Sequence, residues 1–175
     1  VKGTYEVPCF LEPNCAPGGT MNLNAEGLPI RNGTMTANLE CIIPRVALDG
    51  APVEMRPMIY GHGLFGKADG VNGSVNPQLA QDHGMVNCAT DEIGMSGYDI
   101  GSVAGALVDL SQFKLLPDRL AQGIINELFL ARLMFHPGGL GTDAAFQNAG
   151  QPVMENENVY YMGASQGGIM GGALT

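Results

Sequence analysis

The sequence predicts an α/β fold, a mostly parallel sheet with crossover helices, preceded by a β-rich segment and incomplete at its C-terminal end. Three observations carry that expectation. From Met58 onward, short apolar runs that stop at glycine or a polar turn ("RPMIYGHG", "MVNCAT", "NVYYMG") alternate with helical stretches, the order that builds parallel strands joined through helices. Earlier, "TYEVPCFL" and "TMTANLECIIP" show partial period-two alternation with β-branched residues, bounded by the turn-rich "PNCAPGG" and "LDGAP". Between the later strands, "PDRLAQGIINELFLARLMF" carries the start and stop signals of a long helix.

Taken in order, residues 1–55 form the β-rich segment, joining or packing on the main sheet, with "GLPIRNG" as a hairpin or turn inside it. Residues 56–175 form the main domain. "RPMIYGHG" is a strand running into glycine, and "NPQLAQDHG" a helix closed by Gly84, a residue suited to the left-handed C-cap. After the "MVNCAT" strand, the turn "DEIGMSGYD" brings Asp91, Glu92 and Asp99 together; they read as a solvated acidic loop, with a substrate pocket or a metal site as alternatives. In the long helix, Pro117 fits the first turn, Asp118 suits the positive helix end, and "HPGG" stops it. Leu120, Ile124, Ile125, Leu128, Phe129 and Phe135 are its predicted sheet-facing side. "NVYYMG" is the last strand and "SQGGIMGGALT" the start of a helix.

Composition excludes several functions. The net charge is -9, and the eight Lys and Arg are scattered, so no basic stripe exists to neutralise nucleic acid or an anionic membrane. The longest apolar run is broken by Arg132 and is too short for a transmembrane segment. The four cysteines lack metal-ligand spacing and the three histidines are not grouped with them, so neither a metal nor another cofactor is expected. We favour two disulfides over free thiols: Cys9 and Cys15 frame a short Pro/Asn loop, and Cys41 and Cys88 sit in strand-like runs, one of three possible connectivities. Disulfides suit a secreted or periplasmic protein, and a mature chain without its leader fits the lack of a signal peptide. Two sequons, Asn32-Gly33-Thr34 and Asn72-Gly73-Ser74, matter only in a host that glycosylates.

The chemistry concentrates in Gly163-Ala164-Ser165-Gln166-Gly167. A serine on a sharp strand-to-helix turn needs small flanking residues, which Gly163 and Gly167 supply. The turn lifts the hydroxyl clear of the sheet and leaves the Gln166 N–H at the helix start, where it can stabilise a developing oxyanion. A second donor is expected from "YGHGLFG", after the "RPMI" strand, where glycines permit close backbone approach. A structural turn is the competing reading of the serine frame.

"YGHGLFG" (Tyr60–Gly66) and "GASQGG" (Gly163–Gly168) together resemble the α/β-hydrolase superfamily, most of all its secreted bacterial lipases and esterases. "CATDEIGMS" (Cys88–Ser96) resembles the same fold more loosely. The resemblance implies that Ser165 is the nucleophile, that the Leu64 and Gln166 N–H groups form the oxyanion hole, and that His62 supports the oxyanion loop. Phe65 and Asp91 are the candidate substrate-binding residues. The implied activity is cleavage of a small-molecule, lipid or polymeric carboxylic ester through an acyl-enzyme, as in a lipase, esterase or polyester depolymerase. Ala164 departs from the family, whose lipases usually carry histidine there.

The family's triad runs Ser, then Asp or Glu, then His, yet no Asp, Glu or His follows Glu157. His62 reads as a loop residue, His83 as a helix cap or surface residue, and His136 as a helix end. The expectation is therefore an N-terminal portion of a longer hydrolase, inactive alone, whose acid and histidine arrive from a C-terminal remainder or an associated chain. The alternative is a non-catalytic hydrolase-fold module for binding or assembly.

Overall fold

The computed structural model describes residues 1–73 and 75–175; Ser74, the last residue of the second sequon, lies outside the described residues. In chain order the strands are β1 (Lys2–Pro8), β2 (Leu11–Glu12), β3 (Thr20–Met21), β4 (Thr34–Ile42), β5 (Arg56–Gly61), β6 (Met85–Ala89), β7 (Gln147–Asn148), β8 (Gln151–Pro152) and β9 (Tyr160–Gly163). The helices are α1 (Arg45–Leu48), α2 (Asn76–His83), α3 (Ile100–Val108), α4 (Leu115–Phe135) and α5 (Gln166–Leu174). β2–β3 and β7–β8 are small ribbons; the other strands form one sheet in the order β1-β4-β6-β5-β9.

That sheet is mixed rather than mostly parallel. β1–β4 and β4–β6 pair antiparallel, while β5 pairs parallel with β6 and with β9. The direction follows the connections. β5 reaches β6 through α2, and β6 reaches β9 through α3 and α4, the crossovers a parallel pair requires. The loops of the first 55 residues need no helix to turn β1 and β4 against each other.

Burial explains the period-two pattern of β1: Tyr5 and Val7 face the core while Glu6 is exposed. Both join Leu39, Cys41, Ile59, Val86, Cys88, Leu130, Met134 and Phe146 in one apolar cluster between sheet and α4. Cys41 and Cys88 are register partners across β4–β6 and are disulfide-bonded, and Cys9 is bonded to Cys15, the pairing favoured by the sequence. Gly84 closes α2 at φ 60°.

Two expectations about helices need correction. α3 had no counterpart in the sequence reading, because Gly101 and Gly105 and the β-branched Ile100 and Val103 weaken its local helical signal. α4 begins two residues before Pro117, and its covered face is only partly the predicted one: Ile125 and Phe129 pack on the core cluster. Leu116, Arg119, Gln122, Gly123, Asn126, Glu127, Leu130 and Met134 are buried, whereas Leu128 and Phe135 are exposed. Polar groups occupy the middle of its covered side.

Candidate active site

β5 and β9 run parallel, and their last residues, Gly61 and Gly163, are register partners. The chain leaving β5 (His62-Gly63-Leu64) therefore emerges beside the chain leaving β9 (Ala164-Ser165). From β5 the crossover leads to β6 on one side, while β9 lies on the other side. Strand order reverses here, and the crevice outside the carboxyl ends at such a point is where open α/β sheets bind ligands.

Ser165 sits at φ 54°, ψ -114° immediately before α5, and its side chain is exposed. Few L residues adopt that backbone, so the surrounding packing must hold it. Ala164 N–H donates to Gly61 O (3.2 Å) and Gly167 N–H to His62 O (3.0 Å), stitching the turn to the end of β5. The approach leaves no room for side chains. A Cβ on Gly167 would overlap the Gly61 carbonyl, and one on Gly163 would overlap the Gly167 carbonyl. A Cβ placed on Gly63 would lie 3.9 Å from that of Ser165, so the two turns are neighbours.

Among the described residues, neither the Leu64 nor the Gln166 N–H donates to a protein acceptor. Phe65 also has positive φ (57°), and its N–H donates to Met95 O (2.8 Å); Gly97 N–H donates to Gly66 O (2.9 Å). The loop after β6 thus buttresses the loop after β5, and Lys67 adds its ammonium 4.3 Å from the Tyr98 ring centroid. Leu64 and Phe65 are both exposed.

His62 is buried, with both ring nitrogens engaged. Nε2 accepts the Glu92 N–H at 2.9 Å, so the proton resides on Nδ1, which lies 2.8 Å from Gly63 O and donates to it. The other two histidines occupy the opposite edge of the sheet. The His83 carbonyl accepts from Arg56, the first residue of β5, about 16 Å along the strand from Gly61. His136 caps α4 and lines a cleft with Glu54 and Met154, beside the start of β5.

The acidic loop after β6 is buried, not solvated: Asp91 is 6% exposed, and Glu92 and Asp99 are fully covered. Asp91 and Asp99 have partners that compensate their burial. Asp91 accepts Ala68 N–H (2.8 Å) and Asn38 Nδ2 (2.7 Å). Asp99 accepts the Gly94 and Ser96 N–H groups and the Ser96 hydroxyl, and pairs with Arg119. Burial alone would push its carboxyl up, but Ser96, the Arg119 guanidinium and Gly94 outweigh it and hold Asp99 below its ordinary value. Arg119 also donates to Cys15 O (2.8 Å), tying α4 to the Cys9–Cys15 loop. No group of three or more metal-ligating side chains occurs among the described residues. A cleft of about 270 Å³ does border Asp91, with Met35, Asn38, Tyr98, Arg119 and Asn126, but its lining includes none of Ser165, Leu64 and Gln166.

Beneath the serine turn lies a group the sequence reading missed. Glu92 Oε1 is 3.2 Å from the Tyr161 hydroxyl, and its Oε2 accepts Gln166 Nε2 at 3.3 Å. The Tyr161 hydroxyl also lies 2.7 Å from Gly167 O. Burial pushes the Glu92 carboxyl up, and burial together with Glu92 pushes Glu127 up to about 8. The Tyr161 phenol is raised by burial and by both carboxyls. Only the i, i+4 spacing of Arg119, Gly123 and Glu127 on a helix hinted that polar groups share the covered face.

No family model matches this chain. No curated protein matches it either. Among solved structures it is similar to acetyl xylan esterase 1 of Thermoanaerobacterium sp., at 16% identity and a TM-score of 0.48. The likeness covers 99% of this chain and 48% of the esterase, so the chain spans about half of that protein's length. No helix among the described residues is long and apolar enough to cross a membrane.

Proposed function

We propose that the chain is the nucleophile-bearing part of a serine hydrolase of the α/β-hydrolase type, acting on carboxylic esters. The observation that carries this reading is Ser165 itself: an exposed hydroxyl on a strained, glycine-flanked turn, next to two N–H groups, of Leu64 and Gln166, without protein acceptors. The Gln166 N–H is free because it opens α5 and the Leu64 N–H lies on an exposed loop, and donors available beside a serine suit an oxygen that develops negative charge. In this reading Ser165 Oγ attacks the ester carbonyl carbon and its proton passes to a general base. Collapse of the tetrahedral intermediate breaks the acyl C–O bond, and the alcohol leaves with that proton. Water then attacks the acyl-enzyme, releasing the acid and regenerating Ser165.

The base is a histidine outside these 175 residues, oriented by an acid also outside them, in a remainder of the protein or an associated chain. The supporting geometry is that His62 has both nitrogens committed, while His83 and His136 sit at the far edge of the sheet. His62 orients the oxyanion loop, and Phe65 lines the entrance to the ester site. Asp91 acts on its own loop rather than on the ester, since both oxygens are taken. The two disulfides support a secreted or periplasmic protein.

A panel of p-nitrophenyl esters of increasing acyl length, assayed on the natural protein and its Ser165→Ala variant, tests the reading. Hydrolysis should fall at least about a thousandfold on substitution. Equal hydrolysis by both forms would place the chemistry on another nucleophile, and no hydrolysis by either would transfer support to a non-catalytic binding or assembly module. That second reading draws on one observation, the distance of every free histidine among the described residues from Ser165.

A further inference from the structure

Glu92 joins three groups of the proposed site without facing the substrate. Its N–H fixes the His62 ring, its Oε2 holds the Gln166 amide beside the free Gln166 N–H, and its Oε1 meets the Tyr161 hydroxyl under Gly167. α4 lies directly on this residue: a Cβ on Gly123 would come 2.8 Å from Ile93 O and 3.6 Å from the Glu92 carbonyl carbon. Glu127, one turn further along the same face, is 1% exposed, and its Oε2 has no partner among the described residues.

Counting hydrogens assigns the protonation. Tyr161 has one hydroxyl hydrogen and two oxygens in reach, with the Gly167 carbonyl the nearer at 2.7 Å. If the phenol donates there, Glu92 Oε1 is left without that hydrogen, and burial then favours a neutral carboxyl. No Lys or Arg forms an ion pair with either glutamate among the described residues. Two dry carboxylates side by side, one with an unpartnered oxygen, would be prohibitively costly, so the pair retains a proton. The remaining titratable groups that face or influence it are His62 from the β5 loop, Tyr161 from β9 and Tyr5 from β1.

We propose that Glu92 and Glu127 form a proton-sharing carboxyl pair under the serine turn, and that Glu92 is a positioning residue that sets the Gln166 and His62 arms of the oxyanion hole. This rests on the hydrolase reading. Loss of the shared proton places two charges in one dry pocket, and Glu92 then swings away from Gln166. Turnover falls while substrate affinity changes little, because the displaced N–H acts on the transition state.

The test compares the natural protein with Glu127→Gln, using pH profiles of kcat and KM on a short-chain p-nitrophenyl ester. Infrared spectra monitor the C=O stretch of buried, protonated carboxyl groups, and a fluorophosphonate adduct on Ser165 checks the hydrolase reading. Wild type should lose kcat as pH rises through about 8, where Glu127 ionises. Glu127→Gln should lower kcat roughly threefold at neutral pH, the worth of one hydrogen bond, and remove that alkaline limb. The infrared band should be present in wild type at neutral pH and diminished in the variant. An adduct on Ser165 with an alkaline limb unmoved by Glu127→Gln overturns the inference alone. So does the lack of the band in wild type, a result that needs no folded variant. No adduct on Ser165 overturns the hydrolase reading, and the catalytic role of the pair with it.

Discussion

Ser165 keeps φ at 54° although it has a side chain, a conformation worth about 1–3 kcal/mol of strain. A residue that serves only as a turn gains nothing from that strain, so relieving it is informative. Ser165→Gly should stabilise the fold by about 1 kcal/mol in denaturant unfolding while abolishing ester hydrolysis. Gly167→Ala should do the reverse to the scaffold. Its Cβ would overlap the Gly61 carbonyl, and unfolding should show a loss of about 1–3 kcal/mol. These small residues were legible because a tight turn forbids anything larger whatever surrounds it. Glu92 and Glu127 were not legible as a pair. A glutamate in a polar-looking turn and one on a helix acquire their meaning only when packing removes both from water.

At the scale of elements, the loop after β6 and α4 behave as one unit. Asp99 holds the loop through Gly94 and Ser96, and Arg119 carries that carboxylate to α4 and to the Cys9–Cys15 loop. Removing one member leaves a buried charge alone, so Asp99→Asn should cost about 3–5 kcal/mol, and Asp99→Asn with Arg119→Met less than the sum of the two. Because the Asp99 carboxyl is held below its ordinary 3.8, its contribution is present above that pH and lost as the pH falls further. Acid unfolding of the variant should therefore be flatter than that of wild type. The sequence revealed α2, with Gly84 at its end, and the extent of α4, because caps and breakers are local signals. It placed Ile125 and Phe129 on the covered face of α4 but missed the polar residues there, since counting apolar residues overlooks a helix that must supply hydrogen bonds to Phe10 N–H and Pro8 O through Gln122.

For the whole molecule, the two disulfides brace opposite ends of the scale. Cys41–Cys88 spans 47 residues and Cys9–Cys15 only 6, so chain entropy assigns roughly 4 kcal/mol to the first and about 2 kcal/mol to the second. Removing the first as Cys41→Ala/Cys88→Ala should lower the thermal midpoint more than removing the second. Stability should also respond to the acid pair. Glu127 binds its proton up to about pH 8 when folded and up to its ordinary 4.5 when unfolded, so the folded state holds more protons between those limits. Wild-type stability should fall across that window by up to about 1.4 kcal/mol per pH unit, level off above it, and respond less in Glu127→Gln. The α/β class was legible from strands alternating with helices, whereas the mixed direction was not, because pairing partners are chosen across the sheet rather than along the chain. The strand ends then gather one serine and two free N–H groups at one edge and leave the free histidines at the other. Fluorophosphonate labelling of the natural protein, followed by peptide mapping, tests that arrangement most directly. The account predicts a single adduct on Ser165, lost in Ser165→Ala and formed only with the polypeptide that brings the base. A natural protein that hydrolyses esters without modification at Ser165, or that gives no adduct at all, would contradict it.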